Sequence, residues 1–316
     1  MIEIFKTKDN ILTQIDKIES GCWVNVVNPT EEEKNYLLNE VGVLPEFIKS
    51  AIDADEAPHI DYDDDVDQRL IVVDYPIRTK ESIEDMNQLL YTTEPLAFIT
   101  FKDFFVTISN NENEQLKEMK IPGAKGINTN FKTRFFLLLM LKISQRYLVY
   151  LRQIDRISSL TEKKLHQSMK NEELIQMLSL EKSLVFFSTS LKTDEIIMNK
   201  IMRGKTIKLY EEDQDLLEDV LIEVHQAIEM CNIYSNILSG TMDAFASVIS
   251  NNLNIVMKVL TIITIVMSIP NIIFSFYGMN VEGGTIPGAL WYVPLIISIV
   301  CCIVAVIFFK KVKMFK

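Results

Sequence analysis

The residues best suited to ion chemistry lie on one face of a long apolar segment near the end of the chain. At about 100° per helical residue, five polar side chains fall within an arc of about 80°: Thr261, Thr264, Ser268, Asn271 and Ser275. Such a stripe could line a pore for hydrated cations, or it could hydrogen-bond to another membrane helix. Asn271 favours the pore, because an amide is costly to desolvate in a helix contact.

The stripe leads to a tripeptide at its C-terminal end, Gly278-Met279-Asn280, directly after Tyr277. Three specified residues recur by chance in unrelated chains, so the tripeptide is informative only in this context. One apolar segment ends at the tripeptide, and a second begins shortly after it. This position indicates a site at the mouth of a pore.

At its other end the stripe reaches an apolar pair, Met257 and Leu260. A hydrophobic constriction at this point would close a pore by excluding water. Further toward the N-terminus the same helical face stays polar, with Asn254, Ser250, Ser247 and Asp243.

Two segments carry no charged residue, namely Val259 to Tyr277 and Thr285 to Phe309. Each is long enough to cross a hydrocarbon layer of roughly 30 Å as a helix. Core helices of soluble proteins rarely run so far without a polar face. Lys258 and the lysine-rich end of the chain favour the cytoplasmic side for both of these flanks. We therefore predict a multi-pass protein of the plasma membrane with both termini in the cytoplasm. The first residues do not have the pattern of a cleaved signal.

Composition and motifs narrow the possible functions. The formal net charge of −11 disfavours nucleic acid as a partner; it suits hydrated cations or simply a soluble surface. The four cysteines form no Cys-x-x-Cys pair, and the three histidines share no metal-ligand spacing. Because there is also no phosphate loop, nucleophile elbow or dinucleotide motif, we predict no enzymatic activity.

The predicted fold class is α+β, and the chain is divided by a change of pattern near residue 125. The strand-like run Cys22–Val27 and the helix start at Thr30 belong to an α/β part, with further β-rich runs at Arg69–Ile77, Leu89–Phe101 and Phe104–Ile108. Long helices without proline until Pro270 follow, and Asn171 and Arg203-Gly204-Lys205 are the expected breaks between them. The last helix could run from near Tyr210 to Tyr277, which is roughly 100 Å. The predicted divisions are a cytoplasmic α/β domain (1–125), a helical stalk (126–252), a first transmembrane helix (253–280), an external loop (281–289), a second transmembrane helix (290–309) and a basic cytoplasmic tail (310–316).

The order of these features resembles the CorA magnesium transporter family. The matching residues are Asn254-Ile-Val-Met257-Lys258-Val-Leu260-Thr261, then Pro270, then Tyr277-Gly278-Met279-Asn280, a short loop, a second apolar segment and a lysine-rich tail. Trp23-Val24-Asn25 and Gly42-Val43-Leu44-Pro45 extend the resemblance more weakly into the first part of the chain.

The resemblance implies a funnel-shaped homopentamer in membrane lipid that carries Mg²⁺, with Co²⁺ and Ni²⁺ as surrogates. It implies a selectivity filter at Gly278, Met279 and Asn280, a gate at Asn254, Met257 and Leu260, and an inner mouth at Asp243. Neutral oxygens suit such a filter, because Mg²⁺ gives up its water reluctantly and can be recognised through its hydration shell.

The family's intracellular Mg²⁺ sensing site is only partly matched. Asp219 corresponds to one partner, but Lys49 and Ser50 replace the expected Glu-Asp pair on the other side of the subunit boundary. Asp53, in the acidic run that follows, is our candidate for the missing carboxylate, although that run also fits a solvated loop. Two alternatives stay open: a zinc transporter of the same superfamily and a non-conducting membrane-anchored scaffold or sensor.

Overall fold

A computed structural model describes residues 1–9, 11–83, 86–121, 126–168, 171–204, 207, 209–278 and 292–312. The chain forms two compact units, Met1–Gly240 and Thr241–Lys316. One helix contributes residues to both units.

In the described residues of the first unit, seven strands form one mixed sheet in the order β2-β1-β3-β7-β6-β5-β4. The pair β3 and β7 is parallel, with Trp23 opposite Phe105, and the other neighbours are antiparallel. The strands are β1 (Ile2–Lys8), β2 (Ile11–Ile15), β3 (Cys22–Val27), β4 (His59–Asp63), β5 (Gln68–Ile83), β6 (Met86–Thr100) and β7 (Phe105–Ser109).

The helices of the described residues are α1 (Glu31–Tyr36), α2 (Pro45–Ile52), α3 (Glu114–Lys120), α4 (Lys132–Ser168), α5 (Asn171–Met202), α6 (Glu211–Tyr277) and α7 (Val293–Lys311). The predicted helix start at Thr30 is confirmed: Thr30 and Glu33 form a capping box at the start of α1. A π-helical turn, Leu37–Val41, follows α1 and ends at Gly42, whose φ of 80° favours glycine. Pro45 then opens α2 at a position where its missing N–H costs nothing.

The sheet buries both of its faces. On one face Val24 and Val26 of β3 pack with Phe47 and Ile48 of α2. On the other face Trp23 and Phe105 contact Phe135 of α4, with ring centroids 4.9 Å and 4.7 Å apart. Because side chains alternate across a strand, β3 supplies both cores. Its one polar residue, Asn25, is buried and accepts a hydrogen bond from the Thr107 hydroxyl at 3.0 Å.

Several sequence predictions about elements are confirmed. The strand at Cys22–Val27 is β3, and the long helices break at Asn171 and near Gly204, as expected. The first apolar segment lies within α6, which ends at Tyr277. Strands β1, β2 and β4 were not predicted. The finer division of the chain into six domains and segments stays a prediction.

Candidate functional site

The second unit consists, in its described part, of the C-terminal half of α6 and the whole of α7. Both helices are long and apolar enough to cross a membrane by length and composition. The polar stripe predicted from the sequence lies on α6, so the structure places all five of its residues on one continuous helix.

Helix α7 contacts a different face of α6 from the one that carries the stripe. Ile262 is buried, and Val266, Ile269 and Ile273 on the same side are half-buried. Cys302 of α7 reaches this face, with its Sγ 3.7 Å from the carbonyl oxygen of Val266. At about 100° per residue the centre of this face lies about 150° around the helix from the stripe.

The contact at Val266 has a local cause in the sequence. Pro270 stands four residues after Val266 and has no N–H, so the Val266 carbonyl lacks its usual helical donor. The Cys302 thiol supplies a weak donor to that carbonyl. Ser298, which is buried, and Ala305, which is half-buried, lie on the same side of α7 as Cys302, and small residues of this kind allow membrane helices to approach closely.

The stripe itself is turned away from α7. Four of its residues are exposed in a single chain and Ser268 is half-buried. Three hydroxyls donate to the carbonyl four residues earlier: Thr261 to Met257 at 2.8 Å, Thr264 to Leu260 at 2.9 Å and Ser268 to Thr264 at 2.8 Å.

This hydrogen-bond pattern fixes the chemistry that the stripe presents. A hydroxyl has one proton, and here that proton is used inside the helix. The remaining lone pairs can only accept hydrogen bonds, and the water molecules around a cation point their protons outward. The stripe is therefore suited to contact a hydrated cation through its water.

The predicted gate and inner-mouth residues lie on the same helix. Met257 and Leu260 are 53% and 55% exposed, respectively, and Asn254 and Asp243 are also exposed. At about 100° per residue, Met257 falls at the centre of the stripe's arc, so an apolar group interrupts a line of acceptors.

The predicted filter is only partly within the described residues. Gly278 follows the end of α6, and its N–H donates to the Phe274 carbonyl at 3.0 Å. A Cβ at this position would lie 3.3 Å from that carbonyl oxygen, which is a tight contact. Met279 and Asn280 lie outside the described residues, as do the predicted loop 281–289 and part of the tail.

Comparisons with known proteins identify the family. The family of CorA-like Mg²⁺ transporter proteins matches residues 19–311 of this chain. The chain belongs to the CorA family. The cobalt/magnesium transport protein CorA of Methanocaldococcus jannaschii is 25% identical over 292 residues, which cover 90% of this chain and 89% of that protein.

Solved structures agree with the CorA fold. The complete structure of the CorA magnesium transporter from Methanocaldococcus jannaschii superposes with a TM-score of 0.77 at 22% identity, covering 99% of this chain and 96% of that one. The cytoplasmic domain of ZntB from Vibrio parahaemolyticus gives a TM-score of 0.58 at 12% identity, covering 79% of this chain and 96% of that one. At these identities the likeness shows the fold alone.

The acids predicted to take part in regulation lie in the first unit. Asp219 is exposed on α6, and Asp53 is exposed at the C-terminal end of α2, where its Oδ1 accepts the N–H of Asp55 at 3.0 Å. Lys49 lines the same cavity of about 470 Å³ as Asp53, so a cation already stands beside the candidate carboxylate. Within the described residues of one chain, no group of three or more His, Cys, Asp or Glu could hold a metal ion.

Sequence reasoning missed a buried pair of acids in this CorA-family chain. Asp74 of β5 and Asp194 of α5 are buried, and the Asp74 N–H donates to Asp194 Oδ1 at 3.2 Å. Asp74 Oδ2 is hydrogen-bonded to the Ser190 hydroxyl, which lies 2.9 Å from the Thr93 hydroxyl. Burial raises the pKa of Asp74 to about 6 and raises the pKa of Asp194 well above its ordinary value. The two acids are 120 residues apart, and no local pattern signals their contact.

Proposed function

We propose that this protein is a channel that carries hydrated Mg²⁺, and Co²⁺ or Ni²⁺ as surrogates, into the cytoplasm. The observation that carries the proposal is the stripe of acceptors on α6, on a face that α7 leaves uncovered. Membership of the CorA family supports the same function.

In this proposal one chain supplies one wall of the pore. A single α6 encloses nothing, so we propose a homopentamer in which five stripes face a common axis and the helices form a funnel. The oxygens of Thr261, Thr264, Ser268, Asn271 and Ser275 would then accept hydrogen bonds from the water around the ion. Gly278, Met279 and Asn280 would form the outer filter, and Asp243 the inner mouth.

The membrane potential is a sufficient energy source for inward transport. Moving a divalent ion through 100 mV yields about 4.6 kcal/mol, which favours accumulation roughly a thousandfold. We place the protein in the plasma membrane with both termini in the cytoplasm, because Lys258 and the terminal lysines flank the spans on one side.

The zinc alternative is weaker on chemical grounds. Zn²⁺ in proteins favours cysteine and histidine, whereas the stripe offers hydroxyl and amide oxygens, which suit Mg²⁺. The non-conducting scaffold is the alternative of a different class. On that reading the stripe would serve only helix packing between subunits.

Ion uptake into liposomes tests these alternatives. Purified full-length protein should admit Mg²⁺, followed with an enclosed fluorescent indicator, at a rate that rises with an inside-negative potential. Radioactive Zn²⁺ should enter far more slowly. Uptake of Zn²⁺ alone would support the zinc transporter, and no uptake of either ion by well-assembled protein would support the scaffold.

The Asn280→Ala variant tests the filter within the same assay. Loss of the amide should abolish selective Mg²⁺ uptake while the oligomer stays assembled, because the ring loses the oxygens that face the hydrated ion. Asn252→Ala, an exposed asparagine of α6 outside the stripe, is the matched control and should transport normally. Normal uptake by Asn280→Ala would remove Asn280 from the filter.

A further inference from the structure

A cation-rich cavity lies in the first unit, at the start of α4. Its volume is about 250 Å³, and it is bordered by parts of β5, β6, α4 and α6 that belong to the first unit. Four cationic side chains line it, against two carboxylates, in a chain whose overall formal charge is −11. The cations are Arg69, Lys102, Lys132 and Arg134, and the acids are Asp67 and Asp213.

The carboxylates leave most of the arginine donors available. Arg69 lies 3.6 Å from Asp67, and Arg134 lies 3.7 Å from Asp213. Both N···O distances exceed a normal hydrogen bond, as does the 4.0 Å between Arg134 and Glu212, so these carboxylates attract the guanidinium groups without accepting a short hydrogen bond from them. Arg69 also lies over the Tyr62 ring, with its Cζ 4.8 Å from the ring centroid. The Lys102 side chain has no ion pair among the described residues. The cavity therefore holds cationic donors in excess of its acceptors.

Lys132 is the cation that the fold holds most firmly. Its Nζ donates to the Lys102 carbonyl at 2.8 Å and to the Phe101 carbonyl, which fixes the ammonium at the cavity wall. An ammonium has three donors, so one remains for a ligand. Burial lowers the pKa of Lys132, and this effect outweighs the opposite influence of the Asp103 and Asp67 charges.

We propose that this cavity binds a phosphate group, either as free phosphate or at the end of a larger soluble compound. Arginine forks and lysine ammonium groups are the usual partners of phosphate oxygens. The volume decides the size of the bound part, because pockets for whole drug-sized ligands are about 300–1,000 Å³. A phosphate or diphosphate fits, and the rest of a larger compound would extend outside. The first turn of α4 adds a partial positive charge at the same place.

Calorimetric titration of the full-length protein in detergent tests the proposal. The titrants are inorganic phosphate, pyrophosphate and succinate, a dianion without tetrahedral oxygens, in EDTA so that no titrant acts by removing Mg²⁺. Phosphate and pyrophosphate should bind at one site per chain, more weakly as salt rises, and succinate should bind much more weakly. No binding of phosphate or pyrophosphate, or equal binding of succinate, would overturn the proposal.

Substitutions in the cavity test whether the phosphate or pyrophosphate binds there. The double variant Arg69→Gln/Lys102→Gln should weaken pyrophosphate binding by about tenfold or more. Lys117→Gln removes a lysine that is paired with Glu112 at 2.6 Å outside the cavity, and it should bind as the wild type does. Unchanged affinity in the double variant would assign the anion to another place. The readout is binding, so its outcome does not depend on the proposed transport.

Discussion

Protonation of two buried acids, Asp74 and Asp194, should influence the stability of the first unit. Asp74 and Asp194 face each other without a cation in the described surroundings; Tyr147 donates to the Asp74 carbonyl at 3.4 Å and is the other titratable group beside them. Asp194 is 1% exposed, and its Oδ2 has no hydrogen-bond partner in the described residues. An ionised carboxylate at such a place is costly, whereas a protonated one is tolerated.

The sign of the pH effect follows from the raised pKa of Asp74, about 6 in the fold. The folded state binds this proton more tightly than the unfolded state, so stability is highest at acid pH and is lost as the pH rises from about 4 to about 6. Asp74→Asn should remove much of that slope and raise the unfolding free energy at pH 7 by up to about 3 kcal/mol. Hydrogen exchange of α5 amides in the full-length protein measures the effect.

Asp155→Asn is the matched control for this prediction, because Asp155 is an exposed acid on α4. At each pH between 4 and 7, the α5 amides of this variant should be as well protected from exchange as those of the wild type. If Asp74→Asn exchanged faster than the wild type at pH 7, the ionised carboxylate would be stabilising the contact with Ser190, and the assignment of a buried, unfavourable charge would be wrong.

A second prediction at the scale of single residues concerns ion uptake after replacement of Met257. In the proposed constriction a shorter, less apolar side chain should hold water more readily, so Met257→Gly should raise Mg²⁺ uptake under conditions in which the wild type admits little. Glycine also weakens a helix by about 1 kcal/mol, so the control must carry the same change. Ile255→Gly places glycine in the same turn, on the side opposite the stripe, and should transport as the wild type does. Equal uptake by both variants would place the gate elsewhere.

At the scale of elements, one proline and one cysteine give the packing of α7 on α6 a specific contact. Pro270 leaves the Val266 carbonyl without its helical donor, and the Cys302 thiol contacts it at 3.7 Å. Cys302→Val should therefore lower the unfolding free energy by about 1 kcal/mol, because a carbonyl in an apolar environment loses a donor. Cys301→Val, on the exposed neighbour, should have no such effect.

A double variant separates this hydrogen bond from simple packing. Pro270→Ala restores an N–H to the helix, so Cys302→Val should cost little in that background. Melting temperatures of the four proteins in one detergent give the coupling. If Cys302→Val lowered the melting temperature equally with and without Pro270, the thiol would act only by filling space.

The elements also show how far the sequence predicts this fold. The breaks between α4, α5 and α6 were predictable because helical periodicity is strong and Asn171 and Gly204 interrupt it. The stripe was predictable for the same reason. The face of α6 that contacts α7 was not, since its isoleucine and valine residues resemble those that face lipid. The contact of Asp74 with Asp194 and the four cations of the cavity come from distant segments, and only the folded chain brings them together.

At the scale of the whole molecule, regulation of the proposed pentamer should depend on carboxylates at the subunit boundary. Mg²⁺ between subunits would screen acids that otherwise repel each other, and so hold a closed assembly together. Asp219 is the best-matched acid, and Asp53 is the candidate on the other side. Because Lys49 shares the cavity of Asp53, the site should bind Mg²⁺ more weakly than one with two acids in place of Lys49 and Ser50.

Protease protection by millimolar Mg²⁺ tests this arrangement. The first unit of the wild type should be cleaved more slowly when Mg²⁺ is present, and this protection should weaken in Asp219→Ala, because one side of the site loses its charge. Asp215→Ala, an exposed acid one turn earlier on α6, should keep the wild-type response. Light scattering should give the same assembled mass for all three proteins, so that lost protection cannot come from lost assembly. If cleavage and current depend on Mg²⁺ in the same way in Asp219→Ala and in the wild type, Asp219 is not a sensor. The replacement of the acidic pair by Lys49 and Ser50 would then have removed this form of regulation.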